Sequence, residues 1–194
     1  VLYFPRDFPP PNLSRITYFK GGLCGLSPVN PRALFYSEAG FPESWPEINV
    51  IEKFPLVEHD ELITLEEVGG SLILAGKEAM LRLDEVPRTT AGNFIASEPV
   101  PIRGAPGVVG PYAMTVVNYE GVSHIAWVSP ENGVLVTDGH RWRPITTDID
   151  WGAFSGLDKS GWVLHWLKSL RVMVLAYSTT GGTNDRYYLL HMDQ

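Results

Sequence analysis

The stretch Gly69-Gly70-Ser71-Leu72-Ile73-Leu74 is a glycine turn that leads directly into an apolar strand, and the chain repeats this arrangement about every 50 residues. The other copies are Gly121-Val122-Ser123-His124-Ile125-Ala126-Trp127, Lys168-Ser169-Leu170-Arg171-Val172-Met173-Val174 and the weaker Gly21-Gly22-Leu23-Cys24-Gly25-Leu26. A further strand is predicted after each copy, at residues 33–36, 79–83, 134–137 and 187–191. Repeats of this length made of short strands are typical of propeller blades. The sequence therefore predicts an all-β fold, a β-propeller or partial propeller of four-stranded antiparallel blades.

Alternating apolar and polar residues place the strands within each unit. The predicted strands are residues 16–26 and 32–37 in a first hairpin, 61–65, 71–75, 79–83 and 94–97 in the second unit, 112–118, 122–128, 134–137 and 141–145 in the third, and 162–166, 170–178 and 186–192 in the last. A single helical turn is predicted at residues 149–156, with Asp148 as its N-cap.

The chain divides into a short arm and the repeat region. Residues 1–15 include Phe8-Pro9-Pro10-Pro11 and are predicted to be a proline-rich arm or linker, followed by blades over residues 16–194. A blade that is apolar on both faces needs a neighbour on each side. Because the chain begins with Val1 rather than Met, we expect these blades to be part of a larger ring, completed by additional sequence or by another chain.

Composition and charge limit the possible functions. With 194 residues, 44% of them hydrophobic, the chain can bury a sizeable core. The net charge of −7 argues against tight binding of nucleic acid over the bulk of the surface. The single cysteine, Cys24, excludes an internal disulfide and is predicted to be a buried, inert thiol. The N-terminus lacks the apolar segment of a signal peptide, and no apolar run reaches the length of a membrane helix.

No residue pattern indicates a catalytic, cofactor-binding or metal-binding site. The five histidines have no metal-ligand spacing; they are His59, His124, His140, His165 and His191. Asp148 and Asp150 near Trp151 could form the carboxylate pair of a glycosidase or a cation site, although a capping and solvated role is the simpler interpretation. Gly181-Gly182-Thr183-Asn184-Asp185 lacks the lysine of a phosphate-binding loop and is predicted to be a turn. We therefore predict no catalytic residue, no cofactor and no metal.

The six tryptophans raise the possibility of sugar binding. Exposed aromatic side chains can stack on glycans, but most of these residues fall near strand positions, where core packing is the usual role. They are Trp45, Trp127, Trp142, Trp151, Trp162 and Trp166.

Two phrases resemble a family of tailed-bacteriophage structural proteins. The first is Ser37-Glu38-Ala39-Gly40-Phe41-Pro42-Glu43-Ser44-Trp45-Pro46, and the second is Ser129-Pro130-Glu131-Asn132-Gly133-Val134-Leu135-Val136-Thr137-Asp138-Gly139. The resemblance covers roughly residues 32–193 and is to the β-propeller domain of tail hub or nozzle proteins. It implies a virion protein present as a multi-copy ring around a channel that passes DNA, and it implies no catalytic residues.

The leading hypothesis is a non-enzymatic virion protein of a phage tail, as hub, nozzle or head–tail junction. Its expected partners are copies of itself, other tail or connector proteins, and DNA that passes without specific binding. Two alternatives are a receptor- or glycan-binding propeller at the tail tip and, less favoured, a polysaccharide-degrading enzyme that uses Asp148 and Asp150.

Overall fold

The computed structural model is all-β and describes residues 9–52, 54, 60–86, 98–180 and 183–192. Within these residues, the strands form four antiparallel sheets, and neighbouring strands in each sheet are consecutive in the chain. The first sheet contains β1 (Arg15–Phe19), β2 (Gly22–Leu26), β3 (Leu34–Tyr36) and β4 (Val50–Ile51). The second contains β5 (Leu62–Val68), β6 (Ser71–Gly76), β7 (Ala79–Leu83) and β8 (Val100–Pro106). The third contains β9 (Met114–Tyr119), β10 (Val122–Ser129), β11 (Gly133–Thr137) and β12 (Trp142–Pro144), and the fourth β13 (Val163–Leu167), β14 (Val172–Tyr177) and β15 (Arg186–His191).

The repeat identified in the sequence corresponds to the first hairpin of each sheet. The second strands β2, β6, β10 and β14 begin 49, 51 and 50 residues apart. In the first three sheets the hairpin turn has only two residues, at 20–21, 69–70 and 120–121. All six of these residues have positive φ, the requirement of the type I′ turn that matches the twist of antiparallel strands. Glycine at the second turn position therefore has a direct conformational reason.

Side chains alternate between the two faces of each sheet, and equivalent positions of the second strands point to the equivalent face in every sheet. In the second sheet, Leu72 and Leu74 of β6 join a core cluster with Cys24 and Leu26 of β2. Ile73 of β6 points the other way, into a larger cluster shared with the third and fourth sheets. We call the face that carries the first, third and fifth residues of the second strand the forward face, and the opposite one the backward face.

The forward face of each sheet packs on the backward face of the next. Trp127, on the backward face of the third sheet, is fully buried, and its Nε1 donates a hydrogen bond to the carbonyl of Pro106 in β8 at 3.2 Å. Met173 and Leu175, on the backward face of the fourth sheet, lie in the cluster shared with the third. Consecutive sheets also touch through their first strands, β1 on β5, β5 on β9 and β9 on β13. The second and third sheets are thus apolar on both sides.

The structure confirms the all-β class and the antiparallel plan, and it corrects three details. The first unit is a four-stranded sheet rather than a hairpin, because residues 16–26 turn at 20–21 and Val50–Ile51 adds a short edge strand. The predicted strand at 94–97 lies outside the described residues, and β8 occupies the fourth position of that sheet. The cap of the 3₁₀ turn Trp151–Phe154 is Asp150, not Asp148.

The last residues of the proline-rich segment pair with the first sheet. Residues 1–8 lie outside the described residues. Arg15 is the first residue of β1, and the amide of Ser14 donates to the carbonyl of Leu26 at 2.8 Å. The side chain of Leu13 lies so close to Gly25 that a Cβ there would be 2.8 Å from its Cδ1. Leu13 thus covers part of the backward face of the first sheet. No helix in the described ranges is long and apolar enough to cross a membrane.

Candidate functional site

The predicted carboxylate pair belongs to a structural turn. Asp150 accepts a hydrogen bond from the amide of Gly152 at 3.0 Å, which orients the start of the 3₁₀ turn. Asp148 is exposed and accepts a hydrogen bond from the neighbouring Thr147 hydroxyl at 3.4 Å. The indole of Trp151 donates to both oxygens of Thr146 at 3.1 Å and lies over Gly133. These contacts make the turn a cover for the β10–β11 hairpin.

The histidines are dispersed over the described part of the chain, where no group of three metal-binding side chains occurs. His124 meets Tyr119 edge to face at 5.8 Å between ring centroids, and His140 contacts Arg82. His165 and His191 are exposed on β13 and β15. His59 lies outside the described residues, as do Gly181 and Gly182 of the predicted turn.

The tryptophans do not form a shared exposed groove. Trp45, Trp127 and Trp162 are buried, and the other three are half-buried. Most of the aromatic contacts join one cluster at the fourth sheet, composed of Trp151, Phe154, Trp162, Tyr177 and Tyr188. Burial raises the pKa of Tyr177, and the hydrogen bond with Tyr188 acts in the same direction. Cys24 is buried in the core, as predicted.

A cleft of about 380 Å³ lies between the first hairpins of the third and fourth sheets. Trp166 and Met192 give it an apolar wall, and they pack on the main core cluster. Its remaining lining residues are Asn118, Glu120, Gly121, Lys168 and Arg171. No sequence pattern indicated this group, because its members from the two hairpins are about 50 residues apart and form no motif. The signal that could have found it is the length of the hairpin turn, which is four residues at 168–171 instead of two.

A second cleft, of about 350 Å³, shares Glu120 with the first and carries both signs of charge. Arg143 bonds Glu120 at 2.6 Å and lies with its Cζ 4.6 Å from the ring centre of Tyr119. Asp138 faces this cleft. Burial acts to raise its pKa, but the backbone N–H groups of Arg141 and His140 outweigh burial, so the pKa of Asp138 is lowered. The carboxylate of Asp138 therefore already accepts hydrogen bonds from the local backbone.

Arg15 of β1 forms a charged contact with the segment that precedes β9. The guanidinium of Arg15 bonds the carbonyl of Pro111 and lies 4.0 Å above the ring centre of Tyr112. Glu66 on β5 is half-buried nearby. Burial raises the pKa of Glu66, and the positive charge of Arg15 offsets part of that rise.

Replacing Glu66 with Gln is expected to raise the free energy of unfolding at neutral pH but not below about pH 4. The folded-state pKa lies above its ordinary value of 4.5, so the carboxyl stabilises the fold below that value. This contribution is lost as the pH rises through the folded-state pKa. Urea unfolding of both proteins across this pH range measures the difference. Glu47→Gln, at an exposed position, is the control, and a difference at Glu66 that does not change with pH would contradict the expectation.

The forward face of the fourth sheet is apolar and, in the described part of the chain, largely exposed at its outer strand. Tyr187 and Leu189 of β15 are 68% and 51% exposed, and in the ladder they stand opposite Ala176 and Val174 of β14. His165 and His191 belong to the same face.

The backward face of the first sheet is the equivalent surface at the other end of the row. Ile16 and Tyr18 of β1 are 54% and 65% exposed. Tyr18 stands opposite the half-buried Leu23, and Phe35 continues the face on β3. Leu13 packs on the centre of this surface, at Gly25.

The sequence matches no protein-family model, and no curated protein is significantly similar to it. The two clefts and the two end faces are therefore interpreted from their own chemistry.

Proposed function

We propose that the protein is a structural component of a phage tail, a partial β-propeller that assembles in several copies around the DNA channel. The observation that carries this proposal is the pair of apolar faces that the described residues leave largely exposed at the two ends of the sheet row. Exposed apolar patches of this kind, built from contiguous strands, mark protein–protein contact surfaces. A row whose two ends both need cover is suited to assembly rather than to a free monomer.

The sheet geometry supports the propeller part of the proposal. Each sheet is a meander of about 50 residues, and consecutive sheets meet through their first strands. In propellers the blades are four-stranded sheets arranged around a central channel. The first strands β1, β5, β9 and β13 would then be the innermost ones.

All the sheets stack in the same orientation, and this supports a second copy of the chain as the binding partner at each end of the row. Between consecutive sheets, the core contacts of the described residues join a forward face to a backward face. In the described part of the chain, the fourth sheet leaves apolar side chains of its forward face exposed, and the first sheet leaves apolar side chains of its backward face exposed. A second copy can therefore continue the row by placing its first sheet on the fourth sheet of its neighbour. Such head-to-tail contacts form a ring when the rotation between copies closes.

Charge and sequence resemblance support the tail assignment. The chain carries a net charge of −7, which suits a wall that DNA passes without being held. The phrases at residues 37–46 and 129–139 resemble those of tail hub and nozzle proteins. Other tail or head–tail connector proteins are the further partners that this assignment implies.

The test is the mass and symmetry of the native assembly, measured by electron microscopy of the purified protein and of virions of the encoding phage. We expect a ring of several copies with an axial channel, and the same chain detected in the virions by mass spectrometry. A monomer whose first and fourth sheets close on each other would contradict assembly. Virions without the chain would contradict the tail assignment.

A further inference from the structure

The outer strand of the fourth sheet is a sheet edge. In the described part of the chain this sheet has the three strands β13, β14 and β15, where each of the other sheets has four. In register with the β14–β15 ladder, the amide of Met192 donates to the carbonyl of Arg171 at 3.1 Å. Hydrogen-bonded positions alternate along an antiparallel pair, so the N–H and C=O groups of Tyr187, Leu189 and His191 point away from β14. These three residues present a row of backbone groups on the outer side of the sheet.

The outer strands of the other three sheets carry features that hinder the addition of a further strand. β4 has two residues, β12 has three and ends at Pro144, and β8 contains Pro101 and Pro106 and has a register shift in its ladder with β7. Short length, proline and bulges are the usual protection of a sheet edge. β15 has six residues, none of them proline, and its ladder with β14 is unbroken. Among these four outer strands, β15 is the one suited to strand addition.

The N-terminal arm leaves the first sheet on the face that meets a neighbouring copy. The side chain of Leu13 lies over Gly25 of β2, on the backward face, so the arm turns from β1 toward β2. In the proposed assembly this backward face packs on the forward face of the fourth sheet of the next copy. The arm is therefore located at the contact between copies.

We propose that residues 1–4 of one copy add a fourth strand to β15 of its neighbour. The proposal rests on the assembly proposed above and names the segment that completes the contact between copies. Val1-Leu2-Tyr3-Phe4 consists of β-branched, aliphatic and aromatic residues, types that fit a strand well. Its backbone pairs with the outward N–H and C=O groups of β15, the mode of recognition in which an extended segment joins a sheet edge.

The arm is long enough for this pairing. Consecutive sheets meet through their first strands, so in the assembly β1 of one copy lies near β13 of its neighbour. The fourth position of a sheet is three strand spacings, about 14 Å, from the first strand, and packed sheets are about 10 Å apart. Residues 5–14 include Pro5 and Pro9-Pro10-Pro11, which favour an extended conformation of about 3.1 Å per residue. This linking segment spans about 31 Å in that conformation, more than the path requires.

The first test is residue-resolved amide hydrogen exchange in β15 of the full chain, as a dilute monomer and in the assembled form. In the monomer we expect the amides of Tyr188 and Leu190 to be protected by β14, and those of Tyr187, Leu189 and His191 to exchange freely. In the assembly we expect exchange at the latter three to slow at least about tenfold. Protection of these three in the monomer would assign the added strand to the same copy, and free exchange in the assembly would leave the edge unpaired. Either result would overturn the proposal.

A variant of the arm identifies the added strand. Leu2→Pro combined with Phe4→Pro removes two backbone donors from residues 1–4 and leaves every described residue unchanged. At a concentration where this variant is assembled, we expect the amides of Tyr187 and Leu189 to exchange as they do in the monomer. Loss of assembly at every concentration would also support the proposal, since the arm would then be essential to the contact. Protection that persists in the assembled variant would show that another segment covers the edge, contrary to the proposal.

Two variants at one position separate strand addition from the packing of the end faces. Leu189→Pro removes an N–H that points away from β14, so the ladder with β14 is retained, and protection of the Leu190 amide verifies this. Leu189→Ala shortens the same side chain and keeps the N–H. Sedimentation velocity is expected to show association weakened at least about tenfold more by proline than by alanine. Equal weakening would exclude strand addition while the assembly through the end faces stands, whereas a wild-type chain that stays monomeric would contradict the assembly itself.

Discussion

Replacing Tyr187 and Leu189 together by Asp is expected to convert the assembly into monomers. These side chains are the most exposed apolar groups on the forward face of the fourth sheet. In the proposed assembly they are covered by the first sheet of the next copy. Burying two carboxylates in this apolar contact should weaken association by at least about 100-fold. Sedimentation velocity over a range of concentrations measures the loss.

The same result is expected from Ile16→Asp with Tyr18→Asp, at the other end of the row. Val29→Asp is the control, because Val29 is 78% exposed but lies in the loop before β3, outside the strands that form the two faces. It should leave the assembly intact. If this control dissociates the assembly as well, general surface charge rather than the end faces is responsible.

Mixing the two monomeric variants gives a sharper test of the head-to-tail arrangement. Each variant retains one intact end face, and the intact faces are complementary. The mixture should therefore form one-to-one dimers that cannot extend further. A symmetric contact between identical faces predicts a different result, since each variant alone would then keep one self-pairing face and form a dimer by itself.

The sequence predicted the fold where a local rule determines the structure. Two-residue turns with glycine in second position have few conformations, so Gly70 and Gly121 located the first hairpins of the second and third sheets, whereas the turn at Gly21 was missed inside the predicted strand at 16–26. The alternation along β6 and β10 then placed side chains on both faces. The outer strands were harder to predict, because an edge strand needs few hydrogen bonds and tolerates proline. Thus β8 carries Pro101 and Pro106, and β4 has two residues.

The candidate sites were predicted less well than the fold. Asp148 and Asp150 are the same type of residue and lie two positions apart in the sequence. Only the backbone geometry decides that Asp150 caps the turn. The end faces could not be recognised from sequence, since Tyr187 and Leu189 alternate just as the buried Met173 and Leu175 do. Which apolar face lacks a neighbour is a property of the whole row. The cleft likewise depends on contact between two hairpins that are far apart in the chain.

Gly133→Ala is expected to lower the free energy of unfolding by about 3 kcal/mol, against about 1 kcal/mol for Gly121→Ala. Both glycines have φ near 80°, at 78° and 80°, so the backbone strain of the two variants is similar. The entropic effect of alanine on the unfolded chain is similar as well. The difference lies in the space around each residue.

At Gly133 a Cβ would be 2.2 Å from Nε1 of Trp151, whereas at Gly121 no atom lies within 4 Å. Alanine at 133 must therefore displace the indole, which breaks its two hydrogen bonds to Thr146 and opens the aromatic cluster. Urea unfolding of both variants measures the gap. Equal losses would mean that Trp151 shifts freely, and a freely shifting indole beside Asp150 would revive the sugar-binding interpretation of that turn. A gap of about 2 kcal/mol would instead show that the turn is held in place as part of the fold.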